Sequence, residues 1–367
     1  MLTTVAAIAG LLSAVVPVLA QGGQVCNATS LCGTEAPCCS EFGFCGTGSF
    51  CLGGCNPLFS HSLDSCAPNP VCENSHTFPD LSRIAMNSTN YNGNASSFDW
   101  VLDKGNILNT NASGGELGLL LTETNGGTRL SSTRYVHYGK ITTRLKTGRW
   151  GGVVTAFITM SDIKDEIDWE FPGDNTFNGQ SNLFWQGVVP DKTQGGTHNI
   201  SSDSFSNYHD YTVDWQPDSL TWSIDGNPVR TVKQSDTIDG NGVAHFPNTP
   251  SRIQLSLWPA GINTSAPGTV AWAGGMINWA DPDYKSAGHF YALVQSVNVS
   301  CSDPTSEPSD TTSYVYGKNA SLDTPAVAFS NKSTVNAAQG LVGLSGDRFA
   351  WTIFGVLAAS LFGVVMA

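Results

Sequence analysis

Residues 164–171 read KDEIDWEF, and this stretch decides how the rest of the chain is interpreted. Glu166, Asp168 and Glu170 fall at every second position, with apolar residues between them. Successive side chains of a β-strand point to opposite faces, so this segment predicts a strand with one acidic and one apolar face. Three like charges on one face repel one another and lower the stability of a strand. Such a row therefore indicates a function.

The acid row, Glu166, Asp168 and Glu170, fits the chemistry of glycoside cleavage. That reaction uses two carboxyl groups, about 5–5.5 Å apart in a retaining enzyme. Residues i and i+4 of a flat strand lie about 13 Å apart at Cα, so curvature and rotamers must close the gap. The preceding GGVVTAFITM reads as a buried strand, which predicts a concave, partly dry surface. A solvated strand face is the alternative.

The composition favours an all-β fold and argues against a nucleic-acid partner. The 367 residues carry 30 Asp+Glu against 17 Lys+Arg, a net charge of −13, and so lack a basic footprint. From residue 67 to 305, short alternating segments such as HDYTVDWQP and RIQLSLWPAG are separated by turn residues. This pattern predicts one large β-sandwich. The sequence has no metal-ligand spacing, P-loop or Ser-His-Asp arrangement, so neither metal nor cofactor is expected.

The segment 165–170, DEIDWE, resembles the D-E-I-D-x-E motif of glycoside hydrolase family 16. Together with residues 151–173, 209–226 and 250–279, it is similar to the fungal Crh family of cell-wall transglycosylases. The N-terminal module and the GPI signal, both described below, are similar to the Utr-type branch of that family. The resemblance implies a β-jelly-roll sandwich with a concave substrate groove. It implies that Glu166 is the nucleophile, Asp168 its helper and Glu170 the acid/base. The implied reaction is retaining cleavage of chitin, a β-1,4-GlcNAc polymer, and its transfer to β-glucan or chitin acceptors.

Two other functions fit parts of the same sequence. An endo-acting chitinase or β-glucanase would use the same carboxylates but transfer the sugar to water. A wall glycoprotein that binds chitin without catalysis would need no acid row, which argues against it.

Further groove residues are predicted on neighbouring strands. Alternation in SNLFWQG places Asn182 and Gln186 on one face, and by resemblance that face reaches the sugars. Trp258 matches a sugar-stacking Trp of the family, with core packing as the alternative. Trp215 and Trp222 lie in apolar alternating strands and are predicted in the core.

The N-terminal region is predicted to be a disulfide scaffold. Nine of ten cysteines lie between residues 26 and 72, and the tenth is Cys301. A zinc site would need the same thiolates in a reducing compartment. Residues 21–66 resemble a hevein-like chitin-binding module of carbohydrate-binding family 18 with its hinge. The resemblance implies a sugar platform formed by Ser40, Phe42, Phe44 and Phe50. It also implies four disulfides, which are Cys26–Cys39, Cys32–Cys45, Cys38–Cys51 and Cys55–Cys66. Cys72 is then left to pair with Cys301, which would tie the start of the next domain to its end.

The module departs from its family because all three platform aromatics are Phe, which offers less stacking area than Trp. We therefore expect weak chitin binding. The alternative is that these rings fill a small core.

Both ends of the chain predict export. Residues 1–20 form an apolar run ending in Val-Leu-Ala, as in a signal peptide; a buried helix is the alternative. Residues 306–338 read as a Ser/Thr/Asn-rich stalk with a GPI attachment site near Asn336–Ala338. Residues 339–367 then form the removed GPI signal, rather than a tail anchor. Together with nine N-glycosylation sequons, this predicts a secreted monomer carrying a GPI lipid anchor, held at the cell membrane or attached to the wall.

Overall fold

The computed structural model describes residues 23–73, 76–112, 114–190, 192–322 and 325–335. The predicted signal peptide, the GPI attachment site and the GPI signal lie outside the described residues. Within those ranges, no helix has the length and apolar character needed to cross a membrane.

Short β-strands make up most of the regular structure in the described ranges. In chain order they are β1 (Cys38–Cys39), β2 (Cys45–Gly46), β3 (Asn69–Pro70), β4 (His76–Thr77), β5 (Ile84–Ala85), β6 (Trp100–Lys104), β7 (Asn106–Asn109), β8 (Leu117–Leu121), β9 (Thr128–Val136), β10 (Gly139–Lys146), β11 (Val153–Ser161), β12 (Glu166–Pro172), β13 (Asn178–Phe184), β14 (Gly196–Asn199), β15 (His209–Trp215), β16 (Ser219–Ile224), β17 (Asn227–Lys233), β18 (Ser251–Pro259), β19 (Phe290–Cys301), β20 (Ser313–Tyr316) and β21 (Val327–Ser330).

Helices are short. The α-helices are α1 (Pro267–Trp272) and α2 (Pro282–Ala287), and each begins with Pro, whose missing N–H costs nothing in the first helical turn. Single 3₁₀ turns cover Gly48–Cys51, Leu63–Ser65, Ser88–Asn90 and Gln234–Thr237.

Two large sheets face each other, which confirms the predicted all-β sandwich. The groove sheet has the strand order β14-β13-β12-β11-β18-β9-β6-β5. The back sheet has the order β17-β16-β15-β10-β19-β8-β7, and β4 pairs with β19. The acid-bearing strand β12 therefore lies inside the groove sheet, with a neighbouring strand on each side.

The apolar face of β12 packs into the core between the sheets, as alternation predicts. The indole of Trp169 is fully buried and donates a hydrogen bond to the Thr212 carbonyl of the back sheet. In return, the indole of Trp222 donates to the Asp168 carbonyl at 2.9 Å. Trp215 and Trp222 are both fully buried, which confirms their predicted core positions. These cross-sheet bonds satisfy the indole N–H groups that burial removes from water.

The segment predicted as a stalk departs from that expectation. Strands β20 and β21 form a hairpin, and β20 pairs with β3 ahead of the sandwich. Tyr314 is buried, stacks on Phe329 at 5.5 Å between ring centroids and donates to Asp303. The segments SYVY and VAFS contain only a few alternating apolar residues, surrounded by Ser and Thr. These residues nevertheless form a hairpin with one buried face. The folded unit thus continues beyond residue 305 to at least Ser330.

Candidate active site

The acid row occupies the face of β12 that points away from the core. In the strand register, Glu166 lies opposite Phe184, Asp168 opposite Asn182 and Glu170 opposite Gln180, all on β13. Asp168 is buried, whereas Glu166 and Glu170 are half-buried. The predicted alternation therefore holds along the whole row, and the partly dry surroundings that it requires are present.

Burial raises the pKa of every carboxyl group in the row. It raises the pKa of Glu166 to about 7, against the opposing effects of a hydrogen bond from Asp168 and the charge of Lys164. It raises the pKa of Glu170 to about 8, with a further contribution from the Glu166 charge. The pKa of Asp168 rises well above its usual range through burial, the two flanking charges and the same hydrogen bond.

The causes of these pKa shifts differ among the three acids, so the acids ionise in a definite order. The proton shared by Asp168 and Glu166 stays on Asp168, because the hydrogen bond lowers the pKa of Glu166 and raises that of Asp168. Glu166 therefore ionises before Glu170, which keeps its proton to higher pH. One ionised and one protonated carboxyl group on the same face is the pairing that glycoside cleavage uses.

Asp165, the fourth carboxylate of the stretch, has a structural position. Its side chain is fully buried and accepts hydrogen bonds from the Thr249 hydroxyl at 2.6 Å and from the backbone N–H groups of Asn248, Thr249 and Gln186. It thereby fixes the start of β12 to two neighbouring loops.

Asn182 and Trp258 lie on the predicted face. Asn182 is buried directly beside Asp168. Trp258 is half-buried at the end of β18 and stacks on Trp272, with ring centroids 6.0 Å apart and planes inclined by 26°. The two indoles form an aromatic surface near the Glu170 end of the acid row, since Val154 pairs with both Trp258 and Pro172.

Gln186 is not where strand alternation predicts it. Strand β13 ends at Phe184, and Gln186 adopts a left-handed backbone with φ of 51°. Its backbone N–H donates a hydrogen bond to Asp165, and this bond turns the chain out of the sheet. Its side-chain amide donates to the Leu322 carbonyl of the C-terminal segment.

His209, which precedes YTVDW, has a structural role. Its ring nitrogens are hydrogen-bonded to Ser202 and Asp225.

Gln180 and Trp272 were not singled out from the sequence. Gln180 lies opposite Glu170, and its side-chain carbonyl accepts a hydrogen bond of 2.8 Å from the Trp272 indole. The alternation that selected Asn182 also reaches Gln180. No periodic pattern could reveal Trp272, because it ends helix α1 in the long connection after β18.

A cavity of about 270 Å³ opens beside the Glu166 end of the row. It is lined by Phe184, by Trp185 stacked on His245 at 4.4 Å, and by the exposed Val188 and Val189. Aromatic surfaces therefore lie near both ends of the acid row.

Comparisons with known proteins agree with this site. Residues 94–274, which include the acid row, match Glycosyl hydrolases family 16. The chain is 43% identical to Crh-like protein 2 of Aspergillus fumigatus, over 88% of this chain and 72% of that protein. It is 40% identical to Congo red hypersensitive protein 2 of Saccharomyces cerevisiae, over 90% of this chain and 71% of that protein. The chain belongs to the Crh family.

A solved structure supports the same conclusion. The Crh-family chain is similar to the structure "Crh5 transglycosylase in complex with NAG", with a TM-score of 0.60 and 28% identity. The match covers 75% of this chain and all of that one. The predicted jelly-roll fold and the predicted glycosidase/transglycosylase class of enzyme are thereby confirmed.

The N-terminal module of this Crh-family chain contains the disulfides that the resemblance implies. These pairs are Cys26–Cys39, Cys32–Cys45, Cys38–Cys51 and Cys55–Cys66. Outside the module, Cys72 pairs with Cys301, as predicted. Phe42, Phe44 and Phe50 are exposed by 58%, 38% and 39%, so these rings do not fill a module core. Ser40 is buried, and its hydroxyl accepts a hydrogen bond from the Phe44 N–H.

Proposed function

We propose that this protein is a retaining cell-wall transglycosylase that cleaves chitin and transfers it to β-glucan or chitin acceptors. The observation that carries the proposal is the half-buried acid row, in which Asp168 holds a proton between two glutamates of different pKa. Family membership supports the glycan chemistry, and the solved Crh5 transglycosylase holds NAG, which supports a GlcNAc donor.

In the first half-reaction, the ionised Glu166 attacks the anomeric carbon of the donor. The glycosidic C–O bond breaks, and Glu170 gives its proton to the leaving oxygen. A covalent glycosyl-enzyme forms on Glu166. Asp168 hydrogen-bonds to Glu166 and so assists both its ionisation and its later departure.

In the second half-reaction, a hydroxyl of the acceptor sugar gives its proton to Glu170 and attacks the anomeric carbon. The bond to Glu166 breaks, and the enzyme returns to its starting protonation state. Transfer competes with hydrolysis at this step. The aromatic surface of Trp258 and Trp272 supports transfer, because ring faces hold a sugar acceptor better than they hold water.

The proposal includes the chain's predicted setting. Residues 21–66 bind chitin through Ser40, Phe42, Phe44 and Phe50. The mature chain is secreted, glycosylated and held by a GPI lipid at the membrane or attached to the wall. The exposure of the three rings supports the binding role.

The test is incubation of chitin oligosaccharides with fluorescently labelled laminarin-type acceptors. Labelled hybrids are expected from the wild type, with the β-configuration retained by NMR, and none from Glu166→Gln. Shortened donors without labelled hybrids would replace the proposal with a hydrolase. Activity in Glu166→Gln would overturn the assignment of the nucleophile.

A further inference from the structure

The N-terminal module is docked on the groove face of the catalytic sandwich. The carboxylate of Glu41 forms ion pairs of 2.5 Å with both Arg129 on β9 and Arg252 on β18. Both arginines lie on the face of the acid row. In register, Arg252 pairs with Met160, and Met160 pairs with Glu166.

The backbone of the module makes further contacts with the sandwich. The Gly54 N–H donates to the Tyr135 hydroxyl at 3.0 Å and to the Asp162 carboxylate at 3.1 Å. A Cβ at position 54 would lie 2.7 Å from the Glu41 side chain, and the φ of Gly54 is +82°, so glycine is required there. The ammonium group of Lys164, two residues before Glu166, donates to the Glu41 carbonyl at 2.6 Å.

The contact is buried, and its carboxylate is paired with cationic side chains. The side chains of Glu41 and Arg252 are 8% and 6% exposed. Burial works to raise the pKa of Glu41, but the charges of Arg129, Arg252 and Lys164 outweigh it and hold that pKa at about 2. The ion pair is therefore intact at neutral and mildly acidic pH, and it fixes the module in place.

The docking residue lies within the sugar platform itself. Glu41 stands between Ser40 and Phe42 in the sequence, so anchoring Glu41 places the next ring at the groove. The Arg129 guanidinium lies 5.3 Å from the centroid of the Phe42 ring, and that ring stays 58% exposed.

The strand register places Arg129, which lies beside the Phe42 ring, relative to the acid row. Glu170 pairs with Ala156, Ala156 with Ser256, and Ser256 with Arg129. Three inter-strand spacings separate Glu170 from Arg129, which is about 14 Å. Phe42 therefore stands at the β9 end of the line of residues that contains the acid/base.

We propose that the docked module is a wall of the catalytic groove and that Phe42 forms a distal sugar subsite of the active site. One GlcNAc chain then occupies the groove and stacks on Phe42 at the same time. The inference rests on the proposed function, since it takes chitin as the donor. A module that was only tethered to the sandwich would instead bind a second chitin chain, independently of the groove.

The experiment measures kcat/KM for soluble chitin oligosaccharides of increasing length, with a labelled acceptor in excess. The readout is the ratio of the value for long donors to the value for short donors. Phe42→Ala is expected to lower this ratio two- to tenfold, the loss of one stacking contact. The control is Leu31→Ala, which changes an apolar residue of the module with similar exposure and should leave the ratio unchanged. An unchanged ratio in Phe42→Ala would overturn the inference.

A double-mutant cycle separates a docked from a tethered module. Glu41→Gln weakens the docking contact, so Phe42→Ala should have little further effect in that background. Fully additive effects would show that the module acts independently and would overturn the inference. Folding of Glu41→Gln is checked by near-UV circular dichroism. If the wild type transfers no donor of any length, the proposed function has failed instead.

Discussion

Replacing Glu41 by Gln should destabilise the protein by an amount that depends on pH. The pKa of Glu41 is held at about 2, against an ordinary value of 4.5. At neutral pH this difference corresponds to about 3 kcal/mol of stability. The value agrees with the cost of about 3–5 kcal/mol for removing one partner of a buried ion pair. Arg129 keeps its bond of 3.0 Å to Asp103, so the uncompensated charge falls mainly on Arg252.

The sign of the pH dependence follows from a depressed pKa. The contribution of Glu41 is complete above its ordinary pKa of 4.5 and declines as the pH falls towards 2. At pH 3, about 1.4 kcal/mol of it remains. The difference in stability between wild type and Glu41→Gln should therefore shrink by more than half between pH 7 and pH 3.

Thermal unfolding at the two pH values provides the measurement. A loss of about 3 kcal/mol should lower the Tm by about 6–12 °C at pH 7, given about 2–4 °C per kcal/mol for domains of roughly this size. Glu73→Gln is a matched control, because Glu73 pairs with Arg134 while 58% exposed and should cost under about 1 kcal/mol. Equal shifts in the two variants, or a difference that persists undiminished at pH 3, would refute the buried ion pair.

Three further outcomes are expected. The kcat/KM profile should be bell-shaped, rising as Glu166 ionises near pH 7 and falling as Glu170 loses its proton near pH 8; a flat profile from pH 5 to 9 would contradict these roles. In urea unfolding, Glu170→Gln should raise the free energy of unfolding by about 2–4 kcal/mol at pH 9 and leave it unchanged at pH 4. Burial disfavours the ionised carboxylate of Glu170, so the wild type loses stability as the pH rises and that group ionises. Tyr314→Ala should cost about 3–5 kcal/mol in the same assay, whereas a disordered stalk predicts no loss.

Local periodicity predicted the parts of the site that lie within one strand. The period of two placed Glu166, Asp168 and Glu170 on one face and the intervening apolar residues in the core, because pleating fixes both directions. It also placed Asn182 beside Asp168. The prediction failed at Gln186, where a hydrogen bond to Asp165, 21 residues away in sequence, ends the strand pattern.

Contacts between distant segments could not be derived from any local pattern. Trp272 reaches Gln180 across 92 residues, and Glu41 reaches Arg252 across 211. A charged residue in a small cysteine-rich module gives no sign that its partner lies in another domain. The C-terminal hairpin was concealed by its composition, because Ser and Thr between a few aromatics resemble a solvated linker.

The disulfide between Cys72 and Cys301 has a mechanical consequence. It joins residues 229 positions apart, so it connects the entry and the exit of the sandwich covalently. A force pulling the N-terminal module away from the C-terminal segment would reach this bond once β3 and β20 had separated. Tension would then pass through this single disulfide and bypass the strands that lie between Cys72 and Cys301 in the sequence. The acid row on β12, which lies between the two cysteines in the sequence, would stay in register under that load.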